Sequence, residues 1–147
     1  VKNTFDEASA VLGQDLWAMI NGTDADLIGQ TVNTQPIMLA AGVAVYRAYL
    51  EAGGKTPAVV AGHSLGEYTA LVAAGAFEKI KDALVRQLYS PVRWTETVNA
   101  LVAEGITESA ECGPGKVLAG LAKRINKEAV CSALTNSEQV AAFIEAH

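Results

Sequence analysis

The 147-residue sequence predicts an α/β fold built on a largely parallel sheet. Pro57-Ala58-Val59-Val60-Ala61 is a short unbroken apolar run, the composition of a strand buried on both faces. Segments with helical spacing of apolar residues alternate with such runs along the chain. The composition, 50% hydrophobic and 18% charged, supplies the core of one domain and excludes intrinsic disorder.

Taken in order, Thr4 to Leu12 reads as a helix with Phe5, Ala8, Val11 and Leu12 on one face, stopped by Gly13. Asp15 to Ile20 and Ala25 to Ile28 are shorter helical pieces around the turn-prone Asn21-Gly22. Thr34-Gln35-Pro36 opens a long helix, with proline in the first turn where its missing N–H has no partner to lose. That helix runs to about Ala52 and is closed by Gly53-Gly54; its first half is so apolar that packing on several sides is expected. After the Pro57–Ala61 strand, helical composition returns from Leu65 to Ala76. Ile80 to Tyr89 is amphipathic, with Ala83, Leu84, Val85 and Leu88 expected on the inner side. Pro91 to Glu104 predicts another helix, closed by Gly105. Ile106 to Glu111 predicts a strand, Gly113-Pro114-Gly115 a tight loop, and Lys116 to Ile125 a helix. A further strand follows at Glu128 to Leu134. Asn136 with Gln139 forms a capping box for a last helix, Ser137 to Ala146.

Sixteen acidic against eleven basic residues give a net charge of −5, which argues against nucleic acid as a main partner. The imbalance lies in residues 1–78, which hold 3 basic and 8 acidic side chains; residues 79–147 hold 8 of each, so an acidic partner would meet the second half. Two cysteines, Cys112 and Cys131, are too few for a disulfide scaffold and fit a reduced environment. No apolar run is long enough to span a bilayer, and the first residues lack a signal-peptide pattern, so a cytoplasmic location is expected. No metal-ligand spacing and no phosphate-cradling loop is present, so no metal or cofactor is expected.

One stretch carries chemistry. Gly62-His63-Ser64-Leu65-Gly66 has the G-x-S-x-G pattern directly after the predicted strand and directly before a helix. A sharp strand-to-helix turn there strains the serine backbone and lifts its Oγ above the sheet edge; both flanking glycines are expected to be needed because a Cβ would collide with neighbouring backbone. Ser64 is thus the candidate nucleophile, and the N–H of Leu65, at the positive end of the following helix, a candidate oxyanion donor. A serine nucleophile needs a base, and only His63 and His147 exist. His63 adjoins the nucleophile and is expected to pack locally; His147 is the last residue and expected to be mobile.

At Gly62-His63-Ser64-Leu65-Gly66-Glu67-Tyr68 the chain resembles the malonyl-CoA:acyl-carrier-protein transacylases of bacterial fatty-acid synthesis. The resemblance extends to Thr34-Gln35-Pro36 and its helix, Gly53-Gly54-Lys55, Gln87 to Trp94 (that family's Q-x-x-x-P-V-x-W segment), and Gly113 to Leu118 with Lys123-Arg124-Ile125. It implies an α/β-hydrolase-like large domain and transfer of a malonyl group from CoA, through malonyl-O-Ser64, to the phosphopantetheine thiol of acyl carrier protein. Malonyl-CoA and acyl carrier protein are the implied partners. Gln87 matches the residue that helps orient the catalytic histidine; without the resemblance it reads as a solvent-facing helix residue. The family also has an N-terminal strand with a Gly-Gln-Gly loop, a segment bearing the histidine base, a carboxylate-binding arginine and a small ferredoxin-like domain, none of which has a match here. The chain passes from Ala76-Phe77-Glu78 to Lys79-Ile80-Lys81 where the family has a long intervening region. Residues 1–147 are therefore expected to form a partial large domain, discontinuous with the family near 78–79, with apolar faces such as Val59-Val60 uncovered. Two alternatives share the motif or the charge: a serine hydrolase or thioesterase, and an inactive module that docks acidic carrier protein on Lys79, Lys81, Arg86 and Arg93 or on Lys116, Lys123, Arg124 and Lys127.

Overall fold

Helix α1 (Lys2–Leu12) ends on Gly13, whose left-handed φ of 68° turns the chain back. Two short helices follow, α2 (Leu16–Asn21) and α3 (Ala25–Gly29), each begun by an aspartate whose carboxylate accepts a backbone N–H: Asp15 from Ala18 at 2.8 Å and Asp24 from Leu27 at 2.9 Å. They lead into the long helix α4 (Thr31–Glu51). The structure, a computed structural model, describes residues 1–147.

The start of α4 differs from the expectation that proline opens it. Pro36 lies inside the helix. One further turn forms before it because side chains secure carbonyls of α3: Asn33 Nδ2 donates to Leu27 at 2.9 Å, and Thr34 Oγ1 donates to Ile28 and, at 3.0 Å, to Gln30. As its composition implies, α4 is packed on several sides, against α1, α3, α5 and the sheet. Phe5, Leu16, Ile37, Ala40 and Ala44 form the main core, with Phe5 edge-on to Trp17 at 5.5 Å. Arg47 fastens α1 to α4 through Glu7 at 2.8 Å and the Thr4 hydroxyl at 3.1 Å.

Pro57–Ala61 is not a strand, contrary to the sequence reading: it is irregular chain with Val59 47% exposed. A strand needs a ladder partner for its N–H and C=O groups, and no strand of this chain pairs with it. The segment runs into helix α5 (Gly66–Ala73), which packs against α4 so closely that a Cβ on Gly42 would meet Thr69 Cγ2 at 2.8 Å.

A single 3-10 turn, Phe77–Lys79, joins α5 to helix α6 (Ile80–Gln87), so Glu78 and Lys79 lie within one continuous turn. On α6 only Ala83 is buried; Leu84, Val85 and Leu88, expected on the inner side, are exposed. The amphipathic pattern is present, but nothing in the chain covers that face. Helix α7 (Trp94–Ala103) begins three residues later than expected, leaving Pro91 in the preceding loop.

The sheet consists of two parallel strands, β1 (Glu108–Cys112) and β2 (Val130–Leu134), in register Glu108 to Val130 through Cys112 to Leu134. Helix α8 (Val117–Ile125) makes the crossover and packs with α7 around Val98, Ala122 and Ala129. Glu111 reaches from β1 to accept the Ala119 N–H at 2.8 Å, capping α8. Helix α9 (Ser137–Ala146) is capped by Asn136, which accepts from Gln139 N at 2.9 Å; Gln139 Oε1 returns the bond one residue earlier, to the N–H and hydroxyl of Thr135. The fold is α/β, with a small parallel sheet at one end of a helical layer.

Candidate active site

The elbow is built by three adjacent residues. Ser64 has φ of 52° and is the one non-glycine residue with a positive φ. Gly62 makes this bend possible: a Cβ there would meet the carbonyl carbon and oxygen of Gly66 at 2.0 Å and the nitrogen of Glu67 at 2.2 Å. Gly66 differs from its expected role. A Cβ on it meets nothing within 4 Å, because no neighbouring strand comes up to that side of the turn. The helix then starts at once, with Gly66 N donating to His63 O at 2.9 Å, Glu67 N to Ser64 O at 3.0 Å and Tyr68 N to Leu65 O at 3.2 Å.

Ser64 is exposed on this bend. The N–H of Leu65 makes no backbone hydrogen bond and lies at the first turn of α5, where backbone dipoles favour an anion. A strained, accessible hydroxyl beside a free N–H is chemically suited to acyl transfer, with the N–H meeting the oxyanion of a tetrahedral intermediate.

Gln87, the last residue of α6, is brought directly to the elbow. Its Nε2 donates to the Ser64 carbonyl at 2.7 Å and to Glu67 Oε2 at 2.9 Å; its Oε1 accepts from the Tyr68 hydroxyl at 2.5 Å. Ser64, Leu65 and Gln87 thus converge on one turn. Burial raises the Tyr68 phenol above its ordinary range, and neighbouring Glu67 adds to the shift, so Tyr68 remains a donor at neutral pH. The sequence reading attached no role to Glu67 or Tyr68. The available signal was helical spacing: Tyr68 is four residues beyond Ser64, one turn of α5 further on.

No histidine is bonded to Ser64. His63 packs its ring edge-on to Trp94, centroids 5.6 Å apart, the local packing expected of it. The Nε1 of Trp94 is shut from solvent without a partner. His147, rather than being free, stacks on Phe143 at 4.1 Å and pairs with Glu108 at 2.9 Å, while Lys55 donates to its carbonyl. A cavity of about 540 Å³ lies elsewhere, between α4, the end of β2 and α9, walled by residues such as Val45, Leu134 and Ile144. The side chains include no group of three or more His, Cys, Asp or Glu placed to hold a metal ion, and no helix is long and apolar enough to cross a membrane.

Comparison with known proteins places this geometry. The family model described as acyl transferase domain matches residues 3–146. The malonyl CoA-acyl carrier protein transacylase of Escherichia coli (strain K12) is 27% identical over 280 aligned positions, covering 99% of this chain and 91% of that protein. That alignment is longer than the 147-residue chain, so at least 133 of its positions (280 less 147) have no counterpart here. The Bacillus subtilis (strain 168) protein of the same name is 47% identical over 66 residues, 45% of this chain and 21% of that protein. Among solved structures, the acyl-carrier-protein S-malonyltransferase of Burkholderia pseudomallei 1710b superposes with a TM-score of 0.91 at 28% identity, covering 98% of this chain and 91% of that one. A malonyl-transacylase solved in complex with a type II PKS acyl-carrier protein gives 0.90 at 25% identity, covering 99% and 91%.

Proposed function

Because the chain belongs to the acyl transferase domain family, we propose that it uses Ser64 to carry a malonyl group from malonyl-CoA to the phosphopantetheine thiol of acyl carrier protein. The serine oxygen attacks the thioester carbonyl, CoA leaves as the thiol, and the malonyl-serine ester is then attacked by the carrier thiol, regenerating the hydroxyl. The observation that carries this reading is the backbone of Ser64: a positive φ is held at an exposed serine only where the surrounding chain enforces it, and Gly62, by lacking a Cβ, lets the chain close up tightly enough to do so. The relatives named for this reaction support the substrate pair. The complex of a similar transacylase with its carrier protein supports acyl carrier protein as partner. The reaction joins and breaks esters without redox change, so it requires no cofactor, and it proceeds in the cytoplasm where both thioesters are found.

The chain is read as a partial large domain of such an enzyme, discontinuous with its relatives near 78–79. The 133 or more unmatched positions support this, as does the uncovered apolar face of α6 directly after that point. Because neither histidine is hydrogen-bonded to Ser64, deprotonation of the hydroxyl by this chain alone is slow, and rapid turnover needs a base from the unmatched region.

Incubation with malonyl-CoA followed by intact-mass analysis tests the reading. A malonyl adduct is expected on Ser64 and absent from Ser64→Ala. Failure of the chain to form that adduct on prolonged incubation rejects acyl transfer. Release of malonate to water faster than transfer to a carrier thiol would instead mark a hydrolase.

A further inference from the structure

Gln87 faces three polar groups, two of them of fixed polarity. The Ser64 carbonyl and the Glu67 carboxylate can only accept, and both lie at Nε2; the Tyr68 hydroxyl lies at Oε1. Turning the amide over would set its oxygen against a carbonyl and a carboxylate. The two acceptors at Nε2 therefore select one of the two amide orientations, and the hydroxyl of buried Tyr68 donates to the Oε1 that this orientation presents.

The consequence passes through one peptide group. The Ser64 carbonyl and the Leu65 N–H are opposite ends of a single planar trans unit, so a pull on the oxygen fixes where the hydrogen points. Ser64 is held at φ 52° on one side of that unit, and Leu65 begins the helix at φ −52° on the other. Rotation of the peptide plane between them is the remaining soft motion, and the 2.7 Å bond from Gln87 restrains it together with the 3.0 Å bond from the Glu67 N–H. Hydrogen bonding at the oxygen also polarises the peptide and strengthens its N–H as a donor.

We propose that Gln87, anchored at Oε1 by the Tyr68 hydroxyl, is a positioning residue for the oxyanion donor: it holds the Ser64–Leu65 peptide so that the Leu65 N–H is aimed at the reacting carbonyl oxygen. This rests on the reading of Ser64 as the acylated residue, since only an intermediate there gives the N–H an oxyanion to meet. It assigns Gln87 a role at the nucleophile itself and gives Tyr68 a function beyond packing.

The test compares the chain with Tyr68→Phe, which keeps the ring and removes the hydroxyl, and with Gln87→Ala. In nitrogen–proton correlation spectra, Tyr68→Phe is expected to move the Leu65 amide resonance and to speed solvent exchange of the Gln87 side-chain amide by about tenfold, with α1 and α4 signals unchanged. Labelling of Ser64 by a fluorophosphonate, followed by intact mass, is expected to slow by about tenfold in Tyr68→Phe and further in Gln87→Ala, below the loss from deleting an oxyanion donor outright. Unchanged Leu65 and Gln87 resonances in Tyr68→Phe overturn the clamp, as does equal labelling of parent and both variants. A parent chain that fluorophosphonate never labels counts against the acyl-serine reading alone, and the spectra still decide the clamp.

Discussion

Ser64 holds a backbone conformation that costs stability. A non-glycine residue in the left-handed region costs roughly 1–2 kcal/mol, so Ser64→Gly is expected to raise the unfolding free energy by about 1 kcal/mol while abolishing any adduct. Gly62→Ala drives a methyl into the backbone of Gly66 and Glu67 and is expected to cost about 2–3 kcal/mol, with loss of Ser64 labelling. Gly66→Ala meets open space at an ordinary φ, and is expected to stabilise by roughly 0.5 kcal/mol. Urea unfolding of the three variants separates these signs. The bend at Ser64 was legible in the sequence because a five-residue pattern specifies it. The asymmetry of its two glycines was not, since it depends on which neighbouring strands are present to receive a side chain.

At the scale of elements, local signals held wherever a local cause suffices. The Asn136–Gln139 pair places α9 where expected, and Asn136→Ala is expected to destabilise the chain by about 1 kcal/mol in a thermal or urea titration. Both strands of the sheet lie within two residues of their expected positions, since each has a partner to pair with. Pro57–Ala61 was misread because a buried-strand composition reports what a segment would do between neighbours, and its neighbours are not in this chain. Pro36 was misplaced because the bonds from Asn33 and Thr34 that lengthen α4 reach six residues back, beyond any capping pattern. The sheet also carries a pH dependence. Burial, with the neighbouring Cys131 and Glu111, pushes the Cys112 thiol from 9.0 up to about 11. A raised folded-state pKa means that stability is intact below pH 9 and is lost as pH climbs through 11, by roughly 2–3 kcal/mol when complete. Cys112→Ser is expected to flatten that decline in urea midpoints measured from pH 8 to 11.

Over the whole molecule, only 16 of 147 residues are buried, which places its stability at the low end for a chain of this length. Leu88 at 87%, Tyr89 at 72% and Phe77 at 62% exposure lie on or beside α6, forming an apolar stripe next to the discontinuity. Sedimentation is expected to show concentration-dependent association, and Val85→Lys with Leu88→Lys to reduce it. The same region carries exposed Lys79, Lys81, Arg86 and Arg93, set in a half-chain of no net charge. Binding of an acidic carrier protein there is expected to weaken with added salt and with Lys79→Glu or Lys81→Glu; salt-independent binding would place the docking surface elsewhere.

Glu78 and Lys79 are consecutive in one exposed 3-10 turn, and the hydrogen bond beside the elbow joins Tyr68 from before that turn to Gln87 from after it. A polypeptide spliced into the turn would leave and return through the same doorway. A whole extra domain, with whatever base and carboxylate grip it brought, could thus be added or lost there while the serine kept its pose.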